Sequence, residues 1–260
     1  MSEKKDNIQL GSVETSIQDG IGTITFYHPA HNSLPGMLLG KLRDAIDTAG
    51  SNNEIKVIIL KSASDRTFCA GASFDELISI ENFESGKQFF LGFANVINAC
   101  RKCPKLIIGR VQGKAVGGGI GVASATDYCF ATKFAAVKLS ELAVGIGPFV
   151  VGPVVERKIG ISAMTQLAFN ATAWRSAEWA REKGLYADVF ENIEEMDSAI
   201  MELARKLAKS NPDAMRLMKQ AFWKDADHWD QLLDERAAIS GKLVLSDFTR
   251  NAIGKFKSKA

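Results

Sequence analysis

Three consecutive glycines, Gly117, Gly118 and Gly119, separate an apolar stretch from a short apolar run in KAVGGGIGVASATDY. Glycine costs conformational entropy wherever it is not needed, so a run of three marks backbone that must approach something closely. The pattern predicts a buried strand, a tight turn and a helix that opens on glycine. Such a helix start presents unpaired N–H groups and the positive end of the helix dipole, with no side chains in the way. Further on, a lone carboxylate, Glu141, stands in LSELAVGIGPFVV. Together these features suit a site that holds developing negative charge while a carboxylate moves a proton.

The rest of the chain alternates strands with helices. Val13 to Ile17 alternates with polar residues, Asp19-Gly20 and Gly22 mark a turn, and Thr23 to Tyr27 reads as the returning strand. A helical period links Leu38, Leu42, Ala45, Ile46 and Ala49, and another links Phe89, Phe93, Val96, Ile97 and Cys100 up to Pro104. Val57–Leu60, Leu106–Val111 and Tyr128–Thr132 are short apolar strands of the buried type. This order predicts an α/β fold with right-handed crossovers and a mostly parallel sheet. From Ser162 onward the chain reads as helices throughout. Asp197–Lys209 and Pro212–Trp223 are the clearest, the second capped by Asn211 with Pro212 in its first turn. The expected division is an α/β unit over residues 1–160 and a helical region over 161–260. No fixed-period repeat is visible.

Composition narrows the function. The 260 residues carry a formal net charge of +2, which argues against a dedicated nucleic-acid surface. The N-terminal MSEKKDNIQLGS has no apolar core of a secretory signal. The longest uncharged run, Leu142 to Val155, is too short for a membrane span and contains Pro148 and Pro153. The expectation is a cytoplasmic protein without a membrane or nucleic-acid partner. Cys100 and Cys103 form a C-x-x-C, but no further ligands appear at matching spacing, so no metal site is expected.

A second segment, FCAGASFDEL, carries small residues at Ala70, Gly71 and Ala72 that would let a ligand reach the backbone N–H groups. Ser73 and Glu76 have the spacing of a capping box. The segment narrowly misses the G-x-S-x-G nucleophile elbow, because Asp75 stands where the last glycine belongs. Val122 likewise breaks the dinucleotide pattern G-x-G-x-x-G. Glu141 taken alone reads as a surface residue at a strand end; burial would raise its pKa into the working range of a general base. His28 and His31 read as solvent-facing, the four tryptophans as packing or subunit contacts, and Lys255, Lys257 and Lys259 as a solvated tail.

In combination, these segments resemble the crotonase superfamily, the enoyl-CoA hydratase/isomerase family. The resemblance covers Ile24 to Leu34, FCAGAS at 68–73, GKAVGGGIGVASATDY at 113–128, and Ser176 to Ala180 with Gly184-Leu185. It implies a spiral of β-β-α units followed by a helical trimerisation region, assembled as a homotrimer or a dimer of trimers. It implies an acyl-CoA thioester as substrate, with coenzyme A part of that substrate and no separate cofactor. The backbone N–H groups of Ala72 and Gly118 would form the oxyanion hole, and Glu141 would be the acid-base residue. Ala70, Gly71, Gly117 and Phe149 would line the substrate, the stretch around Ala70 near the adenine end. Asp127 matches an acidic residue of structural role.

The departures from the family pattern shift the expected reaction. Hydratases of the family carry two glutamates, and the position of the first is Gly121 here. The usual glycine-rich P-G-x-G-G is replaced by Pro148-Phe149-Val150-Val151-Gly152, and Ser73 replaces an aspartate. Moving a double bond needs one base and an oxyanion hole, so the expectation is an enoyl-CoA isomerase. The alternatives are a hydratase that recruits Asp75, Glu76 or Glu81 as second acid, and a non-catalytic acyl-CoA binder. Phe149, where dienoyl isomerases place a further acid, counts against that branch.

Overall fold

The computed structural model describes residues 11–63 and 66–257. The N-terminal segment through Leu10, residue Lys259, and the side chains of Lys255 and Lys257 lie outside the described residues. Strands β1 (Ser12–Gln18) and β2 (Ile21–Tyr27) form an antiparallel hairpin closed by Asp19 and Gly20, both at positive φ. The second strand starts at Ile21, so Gly22 lies in the strand and not in the turn. Its lack of a side chain makes room for Ile55, whose Cδ1 would sit 2.7 Å from a Cβ there.

From β2 the sheet continues in parallel through β3 (Val57–Ser62), β5 (Leu106–Val111), β7 (Tyr128–Thr132) and β9 (Asp188–Phe190). A second parallel sheet holds β4 (Thr67–Cys69), β6 (Lys114–Val116) and β8 (Val137–Lys138). Each pair β3-β4, β5-β6 and β7-β8 therefore gives one strand to each sheet before the chain turns into a helical segment. Helix α1 (Gly36–Ser51) precedes the first pair. The first pair leads to α2 (Phe74–Ser79) and α3 (Phe83–Lys102), the second to α4 (Gly118–Ala125), and the third to a 3₁₀ turn, Glu141–Val144, and α5 (Gly152–Phe169). This is the expected spiral of β-β-α units. Its turns begin at residues 57, 106 and 128, too unevenly to leave a repeat in the sequence.

The C-terminal third differs from its expectation in two places. Helix α5 starts at Gly152, with Pro153 in its first turn, and Gly160 (φ 73°) breaks it midway. The segment read as all helix also contains β9, which adds a sixth strand to the sheet by pairing with β7. Three residues are too few to show a period. The remaining helices are α6 (Ala177–Glu182), α7 (Ile193–Ala208), α8 (Pro212–Phe222), α9 (Trp229–Leu243) and α10 (Asp247–Lys257).

Packing fixes these helices to the spiral. Helix α7 lays Met196, Ile200 and Ala204 on Ile21, Val57, Ile59, Ile108 and Phe130. Helix α9 runs against α3 so closely that a Cβ on Gly86 would lie 2.9 Å from the Gly241 carbonyl oxygen. Asp127 ties α8 to the sheet: its Oδ2 accepts from Ile107 N (2.8 Å) and from the Lys219 ammonium (2.8 Å), and its Oδ1 accepts from Trp223 Nε1 (3.4 Å). Lys219 is only 3% exposed and also donates to Lys105 O. Trp223 and Trp229 pack edge to face at 5.5 Å, whereas Trp174 is half-exposed beneath the Lys114 and Lys138 ammoniums. Cys100 and Cys103 are buried free thiols, and burial pushes both up from the ordinary thiol range. Among the described residues no three histidines, cysteines or carboxylates cluster as metal ligands, and no helix is long and apolar enough to cross a membrane.

Replacing Asp127 by Ala leaves the buried Lys219 ammonium without its counter-charge. Breaking one side of such a pair costs about 3–5 kcal/mol. Urea denaturation of Asp127→Ala is expected to show that loss, and a midpoint equal to wild type would rule out this clamp.

Candidate active site

The triple glycine does what its sequence predicts. Gly117 sits at φ 51° as the N-cap of α4, with no side-chain cap, so the helix opens with its first N–H groups bare. Among the described residues, neither Ala72 N–H nor Gly118 N–H donates to a protein group. The two amides belong to adjoining loops: a Cβ on Gly71, at φ 91°, would lie 2.9 Å from Val116 O and 3.5 Å from Gly118 N. Phe93 on α3 packs directly on Gly118, where its ring would overlap any side chain.

The loop after β2 braces the loop after β4. Leu34 N donates to Gly71 O (2.8 Å) and Ala70 N to His31 O (3.2 Å). Asn32, fully buried at φ 54°, accepts from His28 N and donates Nδ2 to Thr67 O (2.9 Å). His31 is exposed as expected, but His28 is half-buried, with Nδ1 accepting from Ala30 N and 3.0 Å from Ser33 Oγ. Burial lowers its pKa, which keeps it a neutral loop brace.

Glu141 lies on the 3₁₀ turn after β8, its Oε1 3.0 Å from where a Gly117 Cβ would be. The residue is partly exposed as a whole, yet its Oε2 is shielded from solvent and has no hydrogen-bond partner. Desolvation raises the carboxyl pKa to about 7, and a bond from its own backbone N–H opposes this only in part. Glu141 is therefore not the surface carboxylate its position alone suggested. Burial thus shifts this carboxyl toward the range in which a group can take up and release a proton near neutral pH.

Ala70, Gly71, Ala72, Gly117, Gly118, Glu141 and Phe149 all line one cavity of about 100 Å³. The candidate second acids do not reach it. Asp75 is exposed, and Glu81 borders a separate cleft beside Arg250. Glu76 is committed elsewhere: its Oε2 accepts from Gly36 N (2.8 Å), capping α1, so the expected capping box is only half made, by Ser73 accepting from Glu76 N.

Gly121, which the resemblance aligns with the first glutamate of hydratases, has no room for a side chain. A Cβ there would lie 2.5 Å from Val151 Cγ1 and 2.9 Å from Val151 Cβ. Val151, just before α5, fills the space that a side chain at 121 on α4 would need. Phe93, Asn32 and this pairing escaped the sequence reading. Phe93 showed only as a core position of its helix, and contacts between distant segments leave no spacing signal.

Residues 16–253 match the sequence pattern of the family described as Enoyl-CoA hydratase/isomerase. The methylglutaconyl-CoA hydratase, mitochondrial, of Mus musculus is 34% identical over 195 residues, 74% of this chain and 62% of that protein. The chain thus spans about three fifths of that relative's length. The short-chain-enoyl-CoA hydratase of Clostridium acetobutylicum is 30% identical over 217 residues, 83% of this chain and 82% of that one. The crystal structure of an enoyl-CoA hydratase from Bacillus halodurans superposes with a TM-score of 0.87 over 94% of this chain and 99% of that one, at 22% identity, a likeness of fold.

Gly121→Ala forces a methyl group into Val151. Overpacking of this kind costs about 1–3 kcal/mol. The loss caused by Gly121→Ala is expected to be smaller on a Val151→Ala background, which removes Cγ1 but keeps Cβ, as read by thermal unfolding. Additive losses would show that the two residues do not share this space.

Proposed function

The chain belongs to the enoyl-CoA hydratase/isomerase family, and from that premise we propose that it moves the double bond of an enoyl-CoA thioester with Glu141 as its single base. The observation that carries this reading is the cavity itself: Glu141 is the one carboxylate among its lining residues, which also include Ala72 and Gly118, whose backbone N–H groups have no acceptor among the described residues.

In this reading the thioester oxygen accepts hydrogen bonds from Ala72 N–H and Gly118 N–H, the latter at the positive end of the α4 dipole. Glu141 takes a proton from C2 of a 3-enoyl thioester. The electron pair spreads into a dienolate whose oxygen charge the two amides stabilise. Glu141 then returns the proton to C4, leaving the 2-enoyl thioester. Every atom is conserved and the carboxylate is regenerated. Coenzyme A enters and leaves with the substrate, past the small residues at Ala70 and Gly71. The exposed apolar side chains Phe169, Leu217, Met218 and Phe222 support association of copies through the helical third, as a trimer or a dimer of trimers.

Hydration is the second reading, favoured by the names of the two curated relatives. It needs a second acid to hold water, and Val151 occupies the room beside Gly121 where such a side chain would start.

Purified protein given a trans-3-enoyl-CoA and, separately, crotonyl-CoA separates the readings by product mass. The expected result is an isomer of unchanged mass from the first and no water added to the second. Glu141→Gln is expected to lose at least about 10²-fold in kcat/KM on the 3-enoyl-CoA. Addition of water to crotonyl-CoA would establish the hydratase instead, and retention of CoA thioesters without turnover would mark a binder.

A further inference from the structure

The cavity differs in one chemical respect from what a carboxylated acyl group requires. Its walls beyond the oxyanion amides are Leu77, Phe89, Phe93, Ile146, Phe149 and Val151. The polar side chains among the lining residues are Ser140, Glu141 and Ser240, and none is a cation. Ser240 comes from α9, where that helix crosses α3, and it is 1% exposed. Arg250 lines a different cleft, with Glu81. Lys158 and Lys219 line a different cavity beside β5 and α8, where Lys219 is paired with Asp127.

We propose that this site selects uncharged acyl chains and rejects thioesters of dicarboxylic acids. The proposal rests on the reading of the cavity as an acyl-CoA site, but not on which reaction occurs there. A carboxylate at the far end of the acyl group would lose its water among aromatic and aliphatic walls. Among the described residues that line the cavity it would find no Lys, Arg or His to replace that water, and burying an unpaired carboxylate is strongly unfavourable. Glu141, itself ionised above about pH 7, adds like-charge repulsion. The hydroxyls of Ser140 and Ser240 can donate to a neutral oxygen but cannot neutralise a charge. The relative from Mus musculus is named for an acyl group that carries a carboxylate, methylglutaconyl. Here the two chains are expected to part, since specificity is set by what the pocket leaves unpaired as well as by what it contacts.

The test uses wild-type protein and two non-reacting ligands of equal length, hexanoyl-CoA and adipoyl-CoA, titrated by calorimetry at pH 7.5 with free CoA as reference. Hexanoyl-CoA is expected to bind at least about tenfold more tightly than adipoyl-CoA. A smaller ratio, a preference for adipoyl-CoA, or no gain of hexanoyl-CoA over free CoA would overturn the proposal. Because neither ligand has a double bond to move, the outcome is independent of the isomerase reading. Selective binding without isomerisation of a 3-enoyl-CoA would refute that reading and leave this one standing.

Discussion

Removal of water from one carboxyl group is the interaction on which the site depends. Glu141 sits against Gly117 with one oxygen sealed and unpartnered, and this alone lifts it to about pH 7. Everything around it serves that enclosure. The positive φ of Gly117 bends the chain so that the carboxyl can lie on the start of α4. Phe149 and Val151 close the cavity from the side of α5, and Phe93 closes it from α3. The enclosure has a cost in stability. A carboxyl whose pKa is about 7 folded and near 4.5 unfolded opposes folding increasingly as pH rises between those values. Strain and unsatisfied polar atoms of this kind collect at functional sites, where the surrounding fold compensates.

That compensation comes from two directions. The spiral brings the loops after β4 and β6 side by side, so that Ala72 and Gly118 line one cavity although they are far apart in sequence. The buried Asn32 then locks the preceding loop to β4 through Thr67 O. From the other side, the Asp127–Lys219 pair fastens α8, while the close passage of Gly86 and Gly241 lets α9 lie on α3 and bring Ser240 to the cavity. Glu141, the amides and the apolar walls are thus all held by elements with their own packing, as the proposed site requires.

Much of this was legible in the sequence because it is local. The glycines at 117–119, the small residues at 70–72, the helical faces of α1 and α3 and the cap at Asn211 are each set by neighbours along the chain. The family resemblance added the spiral and the pairing of Ala72 with Gly118. What could not be read depends on distant segments meeting. The fit of Val151 to Gly121, the capture of Glu76 by Gly36 N, and the edge strand Asp188–Phe190 are of this kind. Each involves a residue whose local reading was reasonable: a glycine, half of a capping box, a three-residue gap between helices.

The most direct measurement is the titration of Glu141 itself. Carboxyl resonances of protein labelled with ¹³C-glutamate, compared between wild type and Glu141→Gln from pH 4 to 9, isolate the one signal that the substitution removes. A midpoint near 7 is the expected result, with the carboxylate form gained as pH rises. A midpoint near 4.5 would place the group in water and contradict the enclosure from which the site's chemistry follows.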